Sequence, residues 1–151
     1  MPATFEAWSN PKMWEQLTPQ ASVPTLETTE RIKPHRGAIA WNDYRRKWVT
    51  VFTQHFGESS QLGEIWYAEA DAPTGRWRGA MKVVTHNKYT FYNPQLHPAF
   101  TDSNSPVLLF EATYTHTFSK TATPTSRHDY NQVLYRLDLD TLNASDQSVT
   151  R

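Results

Sequence analysis

A repeated run of β-forming residues constrains the fold of this chain more than any other sequence feature. A displacement of 58 residues lays positions 48–52 (WVTVF) over 106–110 (PVLLF), and a displacement of 68 lays 65–67 (IWY) over 133–135 (VLY). Both runs are rich in β-branched and aromatic residues, which favour strands. Each copy consists of strand, tight turn, strand, loop and strand. The sequence therefore predicts two similar antiparallel sheets.

Strand composition extends between residues 37 and 140, and turn-forming residues divide it. The predicted strands are 37–41, 48–53, 64–70, 78–85, 95–100, 106–114 and 130–138. Residues 1–36 are rich in Pro and Thr and show little periodicity, so we expect an irregular arm there, with one short helical turn at 10–15. Residues 141–151 are expected to form a solvated polar tail.

Two architectures fit this pattern, a β-propeller and a β-sandwich, because any antiparallel meander has similar spacing. The fold class that we predict is all-β, a partial β-propeller of about two antiparallel blades with an irregular N-terminal arm. Two blades alone leave sheet faces and edges unpaired. We therefore expect a homo-oligomer or a partner chain that completes the sheet assembly.

Five segments of the chain carry a family resemblance. They are 41–48 (WNDYRRKW), 62–71 (LGEIWYAEAD), 91–94 (FYNP) with 97–98 (HP), 110–118 (FEATYTHTF) and 129–139 (DYNQVLYRLDL). Together they resemble the C-terminal part of uncharacterised bacterial proteins with a five-bladed β-propeller like that of family 43 glycoside hydrolases. The resemblance covers residues 37–140 and implies a carbohydrate-active or carbohydrate-binding protein, with a glycan or small sugar as its partner.

The same resemblance does not assign a catalytic role to any individual residue of this chain. The family site draws three carboxylates from different blades, and the aspartate-bearing motif of the first blade has no counterpart in this sequence. The family members are usually secreted, whereas the first residues here lack the charged and apolar regions of a signal peptide. The sequence therefore leaves both the activity and the localisation open.

Charge and composition argue against several other functions. The 15 basic and 15 acidic residues balance to a net charge of zero, which disfavours nucleic acid and anionic membranes as partners. No apolar run is long enough for a membrane span. The chain has no cysteine, its six histidines are never at ligand spacing, and its five glycines form no phosphate loop. We predict neither a metal nor another cofactor.

Two glutamates are candidate catalytic groups, because glycoside hydrolysis needs two carboxyl groups beside the scissile bond. Glu64 follows Gly63 at the start of a predicted strand, and Glu111 interrupts a strand whose alternate residues are apolar. Each glutamate also has a simpler explanation than catalysis. Glu111 could form a salt bridge or lie on an exposed face, and Glu64 could lie at the edge of a loop. A carboxyl pair that faces one cleft would favour an enzyme. Carboxylates on opposite faces would favour a non-catalytic interaction or structural module that completes a propeller with another chain.

Seven further residues are candidate sugar contacts, because rings stack on sugars and amides bond to hydroxyls. They are Trp41, Asn42, Tyr92, Asn93, His97, Tyr130 and Asn131. The alternatives are core packing for the aromatic residues and turn formation for the asparagines. Counting outward from the turn at 101–105 places His97 opposite Leu109, with Glu111 two residues further on. We therefore expect His97 and Glu111 to be diagonal neighbours on one sheet face.

Overall fold

Antiparallel β-sheets make up the part of the chain that the computed structural model describes, which is residues 22–26, 30–58, 60–85, 89–119 and 130–142. The strands in it are β1 (Val23–Pro24), β2 (Arg31–Ile32), β3 (Pro34–Asn42), β4 (Lys47–Gln54), β5 (Glu64–Ala70), β6 (Arg78–Thr85), β7 (Thr90–Leu96), β8 (Val107–Thr115) and β9 (Asn131–Asp138). β1 and β2 pair with each other. Strands β3 to β6 form sheet A in chain order, and strands β7 to β9 form sheet B in chain order. The predictions of an all-β fold and of two antiparallel sheets are confirmed.

Sheets A and B enclose the main hydrophobic core. Alternating residues of β4 and β5, among them Val51 and Tyr67, face alternating residues of β7 and β8. Phe110 is 1% exposed, and its ring stacks on Tyr135 with 5.1 Å between centroids. Burial, and then the nearby Tyr114, raise the pKa of Tyr135 to about 12. The two sheets are thus held together by interdigitating apolar side chains.

The opposite face of sheet A carries a second core. Phe52, Trp66 and Ala68 pack there against Val23 of β1 and Ile32 of β2. Both faces of the central strands β4 and β5 are therefore buried, which explains their nearly continuous apolar sequences.

Sheet B is covered on one face only in the described structure. Along β8, Leu108, Phe110 and Ala112 are buried against sheet A, and the residues between them point the other way. We call this second side, which carries Leu109, Glu111, Thr113, Leu134 and Arg136, the outer face of sheet B. Leu134 lies opposite Glu111 there and is 59% exposed.

Matching β-bulges interrupt the first strand of each sheet. In β3 the pairing with β4 shifts by one residue between Pro34 and Gly37, and in β7 the pairing with β8 shifts between Tyr92 and Gln95. The two pairs of positions are related by the same displacement of 58 residues that relates the strand sequences. Asn93, inside the second bulge, has a φ of 47°. The internal repeat therefore extends to an irregularity of the backbone.

The prediction of a strand over 95–100 is wrong. The strand is Thr90–Leu96, and Pro98–Phe100 forms a 3-10 turn. Pro98 has no amide hydrogen to donate to β8, and its fixed φ suits the first position of a helical turn. The strands β5 and β6 have the predicted bounds, 64–70 and 78–85.

The N-terminal segment differs in part from the irregular arm expected over 1–36. β1 and β2 form a short hairpin in it, because Val23 and Ile32 cover the second core, and β3 begins at Pro34 rather than at Gly37. The helical turn expected at 10–15 lies outside the described residues. So does the part of the expected polar tail from residue 143 onward. None of the described residues belongs to a helix that could cross a membrane.

Replacing Phe110 with Ala should lower the free energy of unfolding by about 3–5 kcal/mol, because it removes a buried ring and leaves a cavity. Urea denaturation followed by tryptophan fluorescence measures the change. Ile39 is 52% exposed, so Ile39→Ala serves as the control and should stay within about 0.5 kcal/mol of the original chain. Equal effects of the two substitutions would contradict the assigned core.

Candidate functional site

A groove opens where the β3–β4 turn approaches the connection between β7 and β8. These connections are equivalent in the two sheets, since each follows the first strand. The groove has a volume of about 640 Å³. Its lining consists of Trp41, Asp43, Tyr44 and Arg46 from sheet A, and Ser103 and Asn104 from the β7–β8 connection. A smaller depression beside it reaches Ala40 and Leu108 and includes Asn42, Pro98 and Asp102.

Trp41 is the largest side chain in the groove. Its indole Nε1 donates a hydrogen bond of 2.7 Å to Oδ1 of Asp43, and its ring meets Trp48 edge-on at 5.9 Å. The residue nevertheless remains 43% exposed. These contacts fix the orientation of an aromatic ring that is still accessible to a ligand.

Asn42 and Tyr44 hold the turn that forms one wall of the groove. The side-chain oxygen of Asn42 accepts a hydrogen bond of 2.8 Å from the amide of Arg45, an arrangement typical of asparagine in turns. The Tyr44 hydroxyl donates to Oδ1 of Asp140, which follows β9, at 2.5 Å. This bond raises the pKa of Tyr44, and it ties the turn of sheet A to the end of sheet B.

The structure brings His97 and Glu111 together on the outer face of sheet B. The His97 amide donates to the carbonyl of Leu109 at 2.9 Å, which confirms the expected register. His97 Nε2 lies 3.4 Å from Oε2 of Glu111, so the predicted diagonal pair is confirmed. The His97 ring also stacks on Phe100, with 4.9 Å between centroids and 7° between planes. The two groups form an ion pair when the imidazole is protonated.

Tyr92 and Asn93 form a contact between the sheets that includes a residue not predicted from the sequence, Arg36. Arg36 Nη1 donates to Oδ1 of Asn93 at 3.3 Å, and the guanidinium lies 5.7 Å from the centre of the Tyr92 ring. A displacement of 58 places 34–36 over 92–94, so the internal repeat relates the two segments, but it gives no signal for the contact of Arg36. Arg36 and Asn93 thus occupy the matching bulges of β3 and β7.

The two candidate catalytic glutamates do not share a cleft. Glu64 begins β5 in sheet A and is 1% exposed. Its carboxylate fills the space beside Gly57, where an added Cβ would lie 1.5 Å from Oε2. Glu111 lies on the outer face of sheet B, and the other face of that sheet packs on sheet A. The layer of sheet B therefore separates the two carboxylates, and a catalytic role for either stays a prediction.

Tyr130 and Asn131 lie away from the groove. Asn131 begins β9 and pairs with Tyr114, whereas the groove lies towards the other end of that strand, where Asp140 bonds to Tyr44. Tyr130 is 69% exposed and has a φ of 62°. The predicted sugar contacts are therefore distributed over separate surfaces: Trp41 lines the groove, and Asn42 lines the smaller depression beside it.

The described residues contain no group of three or more His, Asp or Glu side chains that could hold a metal ion. Comparison with known proteins gave no match: no family model, no curated protein and no solved structure matches the chain. The propeller family suggested by the sequence therefore stays a prediction.

A histidine pair lies at the end of sheet A where β3 begins. The rings of His35 and His55 are 5.5 Å apart, and His55 stacks on Phe56 at 4.1 Å. Burial lowers the pKa of His35, and so do the positive charges of His55 and Arg36. Protonation of His35 is therefore less favourable in the folded chain than in the unfolded chain.

The stability of the chain should consequently fall as the pH is lowered. The contribution of His35 is fully present above the ordinary histidine pKa of about 6.5 and is lost as the pH falls through its lowered folded value. His35→Gln should reduce the slope of unfolding free energy against pH in that window and leave the slope above pH 7 unchanged. Urea denaturation at a series of pH values measures both slopes. Parallel curves for the two proteins across the window would rule out this role of His35.

Proposed function

We propose that this chain binds a glycan in the groove between the β3–β4 turn and the β7–β8 connection. The observation that carries the proposal is the accessible Trp41 ring, held in place by Asp43 and surrounded by polar side chains. Sugars bind through stacking of their apolar faces on aromatic rings and through hydrogen bonds to their hydroxyls. A ring whose orientation is already fixed loses little conformational entropy on binding.

The polar side chains that line the groove can bond to a sugar hydroxyl whether it donates or accepts the hydrogen bond. Asp43 accepts hydrogen bonds, Arg46 donates them, and Ser103 and Asn104 do both. These groups belong to two different sheets, so a ligand in the groove contacts both halves of the repeat at once. That arrangement supports one compact binding site for the whole molecule.

Binding accounts for the geometry better than hydrolysis does. The two carboxyl groups of a glycosidase lie about 5–9.5 Å apart across one bond. Glu64 and Glu111 belong to different sheets and do not face the groove together. We therefore propose a carbohydrate-binding module related to glycoside hydrolases and assign it no hydrolytic step.

We also propose that sheets A and B are two blades of a β-propeller. The support is the equivalent strand order of the two meanders, with matching bulges in β3 and β7. The first strand of each sheet lies beside the first strand of the other, as Arg36 and Asn93 are in contact. First strands of neighbouring blades approach each other in the same way around a propeller axis.

Trp41→Ala should weaken glycan binding by more than about tenfold, since removing a tryptophan at the centre of a binding site typically costs about 2 kcal/mol or more. A glycan array identifies a ligand for the original chain, and calorimetry then gives its dissociation constant for each variant. Trp41→Phe should retain part of the affinity because a ring remains.

The matched control is Ile39→Ala, which changes an exposed apolar residue two positions earlier on the same strand face. It should leave the affinity unchanged, and circular dichroism checks that every variant is folded. Failure of the original chain to bind any glycan on the array, or equal affinity of Trp41→Ala, would refute the proposal.

The outer face of sheet B supports a second candidate function, association with a second copy of this chain. Leu134 is exposed at its centre, with Glu111 opposite it on β8 and Arg136 two residues further along β9. In a pair related by a two-fold axis, both copies use the same surface patch. If a residue of one copy contacts a different residue of the other copy, the reverse contact also occurs. Arg136 of one copy can then face Glu111 of the other, so the charges of this face complement themselves.

Charge reversal tests this association. Arg136→Glu and Glu111→Arg should each place like charges across the two-fold axis and shift the chain from dimer to monomer, whereas the double variant should restore the dimer. Light scattering coupled to size exclusion gives the masses. Arg76→Glu, an exposed site between β5 and β6, is the control. A monomeric original chain, or a double variant that stays monomeric, would contradict this pairing.

A further inference from the structure

Arg36, in the bulge of β3, donates a hydrogen bond to Asn93, in the matching bulge of β7. Bulges re-aim side chains and are common beside functional sites. Arg36 reaches from the bulge of sheet A to the bulge of sheet B, where Asn93 has a left-handed φ of 47° that costs conformational energy. The internal repeat keeps the irregularity in both sheets, which indicates a use for it beyond strand pairing.

Neutral groups alone hold Arg36 in the described part of the chain. Its Nη1 bonds to the Asn93 amide oxygen, and its guanidinium lies near the Tyr92 ring. Arg45, by contrast, pairs with the carboxylate of Glu69 at 2.7 Å. Arg36 has no such ion pair among the described residues, although its side chain is fixed at two points. Its positive charge is therefore oriented but not neutralised.

The remaining donors of Arg36 have the geometry for a carboxylate. The contact with Asn93 uses Nη1, so the edge formed by Nε and Nη2 has no hydrogen-bond partner within the described residues. Two parallel N–H groups on one edge of a guanidinium match the two oxygens of a carboxylate. Contact with the Tyr92 ring limits rotation of the plane, which lowers the entropic cost of binding.

Two histidines accompany Arg36 at this end of sheet A. His35 precedes it on β3, and the His55 ring lies 5.5 Å from the His35 ring. Burial lowers the pKa of His35 most, and the charges of His55 and Arg36 lower it further. A bound anion would relieve this repulsion.

We propose that Arg36, Tyr92 and Asn93 form a carboxylate-binding subsite and that the ligand of this chain is an acidic glycan bearing a uronic acid. The identification of the ligand as a glycan rests on the proposed function of the Trp41 groove. Arg36 and Trp41 are five residues apart on β3, a separation of roughly 17 Å along an extended strand. Their side chains lie on opposite faces of sheet A, because Ala38 and Ala40 between them face sheet B as Arg36 does, whereas Trp41 alternates with these residues. Since β3 is the edge strand of sheet A, an oligosaccharide that runs along its open edge reaches both, with a sugar face on Trp41 and a carboxylate on Arg36.

The experiment follows the Nε–H resonance of Arg36 by nitrogen-edited NMR while sodium glucuronate, glucose or sodium sulfate is added to the full chain. Glucuronate and glucose differ by the carboxylate, so glucuronate should shift this resonance to saturation and glucose should not. Sulfate separates carboxylate recognition from general anion binding and should bind at least tenfold more weakly. Equal shifts with glucuronate and sulfate, or none with glucuronate, would overturn the assignment.

Variants establish which residues form the subsite. Arg36→Gln should abolish glucuronate binding, and Arg36→Lys should weaken it about tenfold because an ammonium lacks the paired edge. Asn93→Gly keeps the left-handed backbone without strain but removes the Oδ1 contact, so it should weaken binding while the fold is retained. Arg76→Gln is the matched control and should have no effect. Unchanged glucuronate affinity in Arg36→Gln would refute the subsite.

The two proposals fail in distinguishable ways. If Trp41→Ala removes glycan binding while Arg36→Gln leaves the preference for acidic glycans intact, the groove stands and the carboxylate subsite is wrong. If Arg36→Gln removes glucuronate binding while Trp41→Ala has no effect on any glycan, the subsite stands and the proposed role of the groove is wrong.

Discussion

The apolar contact between sheets A and B positions both candidate sites of this structure. Val51 and Tyr67 on one side and Phe91 and Phe110 on the other exclude water from the space between the sheets. Burial of apolar area favours one mutual placement of the sheets, because side chains in a core interdigitate closely. That placement brings two equivalent turns together as a groove and brings β3 beside β7. A single sheet would have neither the groove nor the surface between β3 and β7.

Which faces of a strand are covered determines its pattern of apolar residues, and this is why much of the fold could be predicted. β8 alternates between buried and exposed residues because only one of its faces is covered, and this period of two is enough to place Glu111 and His97 on one face. β4 and β5 are covered on both faces, so their apolar runs mark them as central strands. Register followed from the turn at 101–105, since counting from a turn fixes antiparallel pairs.

The features that could not be predicted depend on contacts between segments or on local backbone irregularity. The contact of Arg36 with Tyr92 requires the two sheets to pack, and no periodicity within β3 encodes it. The predicted bounds of β7 are displaced because proline favours the start of a strand, whereas Pro94 occupies a bulge in the middle of this one. Apart from the His97–Glu111 pair, the candidate sites were correspondingly predicted as residue types but not as groups. Trp41 faces a groove whose other wall comes from a turn more than fifty residues away.

The edge strands explain why charged, polar and aromatic side chains lie between β3 and β7. Each is the terminal strand of its sheet, so one side of each backbone has no strand partner in its own sheet. An open edge invites pairing with another chain unless it is interrupted. Here a bulge interrupts each edge, Pro94 removes a backbone donor from β7, and Arg36 places a charge between them. The bulges, Pro94 and Arg36 thus prevent the addition of another strand, and they leave fixed polar and aromatic side chains facing outward. Such groups are suited to a ligand that bonds to side chains, as a sugar does, rather than to a peptide that bonds to the backbone.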